Sequence, residues 1–210
     1  MLGDLLARYG HALAAHPLTR AWAAGACVMV NPFTSHLAHK KSVLALLTDP
    51  AAGGLLPPSE AAAARDLVPW TRLVRAGPTT CPEGRRTGLL DLARARRAHL
   101  VLKPNDDYGG KGVLCGWETT DQAWHSALGR ALLTPHVLQE RVPLPTAPYP
   151  APYPDLAGGR LRVREYAEST DPFLFGTDSP GCICRLSRTS LLNVSTGAAP
   201  VPVFLITPGS

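Results

Sequence analysis

The sequence has no long apolar run. The longest, around Ala21 to Val30, is about ten residues and is interrupted by Gly25, where a bilayer-spanning helix needs roughly 20. Charged residues are sparse, at 18% against the roughly 25% of an average globular chain, which excludes a coiled coil. Proline (21) and glycine (19) are plentiful, but together they make roughly a fifth of the chain, short of the ~25–30% of disordered or low-complexity sequences, and the collagen repeat is missing. The five cysteines (27, 81, 115, 182 and 184) are odd in number and form no C-x-x-C pair, so neither a disulfide framework nor a zinc site is indicated. They read as the reduced thiols of a cytoplasmic protein. The N-terminal stretch carries Asp4 and no cationic run before an apolar core, so it does not read as a secretory signal. The sequon Asn193-Val194-Ser195 then has no role.

What remains is a soluble chain of 210 residues, long enough to bury a core without disulfides or metal. Its net charge is 21 − 16 = +5. Arginines 72, 75, 85, 86, 94, 96 and 97 make a basic middle stretch. No aromatics interleave with them and no DNA-binding motif accompanies them, which points away from nucleic acid. A solvated arginine face explains the stretch, and a basic pocket for a small anion would use the same charge. Lysine is scarce: only Lys40, Lys41, Lys103 and Lys111 occur among 21 basic residues. A lysine kept where arginine is otherwise used suits a site that needs a compact point charge.

Apolar spacing predicts an N-terminal helix over 2–15, a buried strand over 26–30 and a helix over 35–47. Shorter helices follow over about 59–66 and 87–97, around a turn-rich segment. From His99 the texture changes. Strands are expected over 100–102, 113–117 and 137–142, with a helix from a Thr120 or Asp121 cap to about Leu133. The tandem APYP over 147–154 reads as an exposed polyproline insertion. Five strands are expected beyond Arg160, over 162–166, 173–175, 182–186, 191–194 and 201–206. Helices mixed with strands early and strands clustered late predict an α+β fold. The chain divides into a helical and αβ part over 1–98, a Gly-rich-loop unit over 99–143, the Pro-rich insertion over 144–159 and a β-rich unit over 160–210.

The segment LVLKPNDDYGGKGV (100–113) carries the strongest chemical signal. A strand ends at Lys103, and Gly109, Gly110 and Gly112 surround Lys111 before a second strand begins. Glycines let backbone N–H groups approach an anion, and lysine adds charge. The spacing is neither the P-loop nor the dinucleotide fingerprint, because a strand and not a helix follows. It describes a β-hairpin with a basic, Gly-rich tip suited to a polyphosphate.

A strand lysine, a Gly-rich hairpin, a helix, a strand ending Gln139-Glu140-Arg141-Val142 and a late β-cluster together resemble the ATP-grasp superfamily. The likeness is to its circularly permuted branch of glutathionylspermidine-synthase-like carboxylate–amine ligases. It extends from Asn31-Pro32-Phe33 and Lys40-Lys41 to Gly181–Ser187 and Leu192-Asn193-Val194-Ser195-Thr196-Gly197. The resemblance implies a nucleotide cleft between the Gly-rich-loop unit and the β-rich lobe, taking ATP and Mg²⁺. It assigns Lys103 and Lys111 to the phosphates, with Gly109, Gly110 and Gly112 as a lid. Gln139, Glu140 and Val142 would belong to the strand that meets the adenine edge. Arg185 would neutralise the transferred phosphoryl and Asn193 would hold Mg²⁺. The Glu that many family members place two residues before that Asn is Leu191 here, and Asp171 is the substitute candidate. Lys41 is left outside the site.

The implied reaction is phosphorylation of a carboxylate by MgATP and attack of an amine on the acyl-phosphate, with neither substrate identified by any motif. Family members carry more chain ahead of the matched region. The expectation is therefore that substrate elements come from a partner chain or a longer parent. Two other readings stand beside the ligase module: a partial or degenerate nucleotide-binding fragment, and a basic nucleic-acid or protein-binding module.

Overall fold

The computed structural model describes residues 8–52, 54–150 and 163–204. In chain order the helices are α1 (Pro17–Ala23), α2 (Ser35–His39), α3 (Ser42–Thr48) and α4 (Pro58–Leu67). Three short strands follow, β1 (Thr71–Leu73), β2 (Pro78–Thr80) and β3 (Arg86–Gly88), then α5 (Leu89–Ala95). Next come β4 (Leu100–Pro104), β5 (Leu114–Cys115), α6 (Asp121–Ala131) and β6 (His136–Glu140). The last four strands are β7 (Thr146–Pro150), β8 (Val163–Pro172), β9 (Cys182–Ser187) and β10 (Ala199–Val201). The expected α+β class is observed, with helices concentrated early and strands late.

Two four-stranded antiparallel sheets dominate, ordered β1-β6-β4-β5 and β10-β9-β8-β7. The strand pair β2-β3 forms a separate ribbon. In the first sheet Val101 pairs with Gln139 on one side and Cys115 on the other. Leu100, Leu102 and Leu138 therefore point to the opposite face, where α5 and α6 cover them. Trp124 of α6 is fully buried in that layer, and its Nε1 donates to the Ala93 carbonyl at 2.9 Å. Thr120 caps α6 by accepting the Ala123 amide, as the sequence predicts. The second sheet has a smaller apolar cluster of Tyr166, Cys184 and Leu186, flanked by Tyr149 and Val201.

The chain turns tightly where the 3₁₀ segments Arg97–His99 and Gly116–Glu118 meet. A Cβ at Gly116 would stand 1.9 Å from the Arg97 carbonyl oxygen and 2.8 Å from that of Leu100. No rotamer relieves a clash with backbone. Gly116→Ala is expected to lower unfolding free energy by about 3 kcal/mol, read as a lowered urea midpoint. An unchanged midpoint would show that the two turns separate freely.

Several expectations are corrected. Residues 1–7 of the N-terminal helix lie outside the described residues, and Gly10–Ala15 is a 3₁₀ turn. The strand expected over 26–30 has no partner strand among the described residues and is irregular, leaving Val28 and Val30 exposed. The helix expected over 35–47 is two helices. It breaks because the Lys41 amide donates to the Asn105 carbonyl (3.1 Å) and the Ser42 amide to Asn105 Oδ1 (2.7 Å). The turn-rich segment contains β1, β2 and β3.

The first APYP is an edge strand, not a free insertion: Ala147 to Pro150 pair with Tyr166 to Val163. Proline is compatible with that place because its missing N–H faces away from the ladder. Pro200 of β10 and the following Pro202 mark the other edge in the same way, and both edges resist pairing with another sheet. Residues 151–154 of the repeat lie outside the described residues. Of the expected late strands, 173–175 is exposed and makes one bridge, Phe175 to Asp178. Residues 191–194 lead into a 3₁₀ turn, and 201–206 is replaced by β10 starting at Ala199, with 205–206 outside the described residues.

Candidate functional site

The two sheets face each other across a cleft of about 590 Å³. The first sheet supplies Val101, Lys103, Cys115 and Gln139, and the segment from Glu140 to Leu144 forms one end. The second supplies Glu165, Ala167 and Ser187, with Arg188 to Leu191 at the rim. The volume lies in the range of small-ligand sites, roughly 300–1,000 Å³. Its lining is mixed: Val101, Val113, Val142 and Leu144 supply aliphatic surface, and Lys103, Glu118, Gln139, Glu140, Arg141, Glu165 and Arg188 supply polar and charged groups.

Lys103 lies at the end of β4, where the apolar run Leu100-Val101-Leu102 gives way to the loop. Its Nζ donates to Gln139 Oε1 at 2.5 Å, and Gln139 Nε2 donates to Thr71 Oγ1 at 2.9 Å. Both ends of the buried Gln139 amide are therefore fixed, and β1 holds the pair in place. Burial pushes the Lys103 ammonium below the ordinary lysine value, and the nearby charge of Lys41 adds to the shift. The thiol of Cys115 on the same wall is pushed up, chiefly by burial. It is a packing group and not an activated nucleophile.

The loop after Lys103 rests on α2 and α3. Asp106 is ion-paired with Lys40, and His36 Nε2 and His39 Nε2 stand 3.6 and 3.9 Å from its other oxygen. Hydrogen bonding from Lys40 holds the Asp106 carboxyl below its usual range. Lys41 Nζ donates to the Asp107 carbonyl at 2.6 Å. Burial lowers the Lys41 pKa against the opposing pull of Asp107 and Asp106. The lysine left outside the site by the sequence reading is thus part of the loop's base. All four lysines of the chain sit on this loop or against it.

Gly109, Gly110 and Gly112 have φ of 68°, 76° and 65°, which explains glycine at these positions. Ser195 Oγ donates to the Gly109 carbonyl at 2.8 Å, and a Cβ at Gly110 would lie 3.4 Å from the Thr196 methyl. The loop therefore meets the 188–198 segment of the second lobe. Lys111 is exposed, with Nζ 4.6 Å from the Tyr108 ring centre.

The other expected residues are placed less uniformly. Glu140 and Val142 line the cleft. The Glu140 and Arg141 amides, however, donate to the Trp70 and His99 carbonyls, so Val142 is the first residue past the ladder. Ala167 and Ser187 pair in the ladder and both line the cleft. The pairs Ser169–Arg185 and Asp171–Ile183 share that face but lie farther along it. Arg185 Nη1 donates to Asp171 Oδ2 at 2.9 Å. Asn193 Oδ1 accepts the Ser195 amide at 2.9 Å and so closes a turn, and it stands 2.7 Å from the Ser195 hydroxyl, sharing that group's one proton with the Gly109 carbonyl. Asp171 stands about 13 Å along β8 from the Ala167 pair, whereas Asn193 lies in the loop that leaves β9 after Ser187. The structure does not bring these two together.

Sequence reasoning missed several lining groups. Arg141 stacks on Trp117, 4.1 Å from the ring centre, and Trp117 Nε1 donates to Ser190 Oγ at 3.2 Å. Ser190 also bonds Glu118, which ties the two lobes at the rim. Glu165 is the carboxylate that β8 presents to the cleft, and only the alternation of that strand would have found it. No His/Cys/Asp/Glu group able to hold a metal occurs among the described residues. Among them no helix is long and apolar enough to cross a membrane. No family model, curated protein or solved structure matches the chain.

Proposed function

We propose that the chain is a nucleotide-binding unit of the ATP-grasp kind, the ATP-binding part of a carboxylate–amine ligase. One observation carries the reading: all four lysines gather at a Gly-rich hairpin whose stem opens into a cleft between two antiparallel sheets. A polyphosphate needs this concentration of compact cations, and glycines at positive φ leave backbone amides accessible to it. Val101, Val113, Val142 and Leu144 offer apolar surface to a purine, and Glu140 offers a polar contact at the end of the cleft.

The residues fit ATP better than they fit a preformed metal site. Mg²⁺ is ordinarily held by one or two carboxylates together with substrate phosphates, so the donors on hand suffice only once a nucleotide is bound. Asn193 and the Glu165 carboxylate on the cleft wall would be those donors. When bound, the ion supplies charge neutralisation. Lys103 would orient the phosphates from the cleft wall, Lys41 would add charge from the base of the loop, Lys111 would approach from its tip, and Arg185 would add charge from the second sheet beyond the cleft lining.

A second reading, binding without full catalysis, is favoured by the local commitments of Asn193 and Asp171. Turnover separates both from a complete ligase. Phosphate release from the purified chain with MgATP is to be measured over amino acids, short peptides and polyamines. The expected result is MgATP binding with little amine-dependent turnover by this chain alone. Robust amine-dependent release would show a complete ligase.

A further inference from the structure

A second hollow of about 540 Å³ shares no lining residue with the cleft. Ser42, Ala45, Leu46 and Asp49 line it at spacings of three, four and seven, so they form one face of α3 and its C-cap, about 10 Å long. Leu55, Leu73 and Leu89 complete an apolar wall. A polar hollow of about 410 Å³ adjoins it, with Asp49, Ala51, Arg75, Pro78 and Thr79 common to both, and adds Arg86. The two make one groove, leucine-lined at one end and arginine-lined at the other.

The charge in that groove is unbalanced. Arg72 is 4% exposed on its floor. Its guanidinium donates to the Thr48, Thr71 and Thr80 carbonyls and to Thr79 Oγ1, all neutral acceptors. Its ion-pair partner is Asp49, at 3.9 Å. Arg75 and Arg86 are exposed and have no acidic partner among the described residues. Three guanidiniums thus face one carboxylate. A cation is repelled here, and a fully hydrated polyanion gains nothing from the leucine wall. An anionic head on an apolar body satisfies both ends, with the head in the planar forks of Arg75 and Arg86.

We propose that this groove is a binding site for a small organic carboxylate carried on a hydrocarbon chain or ring. The site is independent of the nucleotide reading and stands or falls without it. The test is calorimetry on the full chain with 4-phenylbutanoate, with 4-phenylbutylamine and acetate as controls. The expected result is saturable binding of the acid alone, weakened about tenfold or more in Arg75→Gln/Arg86→Gln, whose two sites are exposed and leave the core intact. Lys103→Met, whose side chain lines neither hollow of the groove, should bind the acid as the wild type does. Equal affinity in the double variant, equal binding of the amine, displacement by MgATP, or no saturation at millimolar acid would each overturn the site.

Discussion

Lys103→Met is expected to weaken MgATP binding about 30-fold or more while leaving the melting temperature equal to or above that of the wild type. The loss corresponds to about 2 kcal/mol, the lower end for removing one partner of a buried charge pair. The stability result follows from the protein without nucleotide. Lys103 sits half-buried beside Lys41, and its main partner is the neutral Gln139. Methionine keeps the stem and removes the charge, although it leaves Gln139 Oε1 without that donor.

The pH dependence has a definite sign. Because the folded-state pKa of Lys103 is below 10.5, the unfolded chain binds more protons between those two values. Wild-type stability should therefore rise with pH across that window. The variant should lack this rise, so its advantage is greatest near neutrality and narrows as pH approaches the ordinary lysine value. Calorimetry with MgATP and thermal melts over the alkaline range measure both effects. Unchanged affinity would remove Lys103 from the site. A markedly lowered melting point at neutral pH would make it a structural residue.

Trp124→Ala is expected to remove about 3–5 kcal/mol of stability, a large share of the 5–15 kcal/mol of a typical domain. The indole is fully buried among Leu89, Ala93, Leu100, Leu102, Leu128 and Leu138. Truncation leaves a cavity between α6 and the first sheet, and leaves the Ala93 carbonyl without its donor. Trp124→Phe keeps most of the volume and loses the hydrogen bond, so a smaller loss of about 1–2 kcal/mol is expected. Urea unfolding followed by circular dichroism gives both values. Equal midpoints for wild type and Trp124→Ala would mean that the helical layer does not anchor the cleft floor.

How much of this was legible depends on where the determinants lie. The strand at Leu100, the Thr120-capped helix and the strand at Val137 were readable because their signals are local: a short apolar run, a cap and a helical stripe. The scarcity of lysine pointed to the Gly-rich loop but under-read its reach, since Lys40 and Lys41 join through Asp106 and the Asp107 carbonyl some 66 residues away. The break between α2 and α3 was hidden for the same reason, because Asn105 supplies it from outside the helix. β1 is three residues long with an arginine at its centre. That arginine is buried only because carbonyls from Thr48, Thr71 and Thr80 surround it. β7 was masked by its prolines, which look like polyproline until the edge position is known. The resemblance pairs Asn193 with Asp171 only as a substitute for the missing Glu at Leu191, and the antiparallel register of β8 and β9, which is not visible in the sequence, spaces the two apart.

MgATP is proposed to bind between the two sheets under the Gly-rich loop. Amide hydrogen exchange of the full chain with and without MgATP tests it most directly. Slower exchange is expected in the peptides spanning 105–113 and 188–198, the two segments that meet through Gly109 and Ser195, together with 140–144 at one end of the cleft. Peptides of β2, β3 and the Arg75 groove should be unchanged. Unaltered exchange over 105–113 at saturating MgATP, or protection confined to the groove, would contradict it.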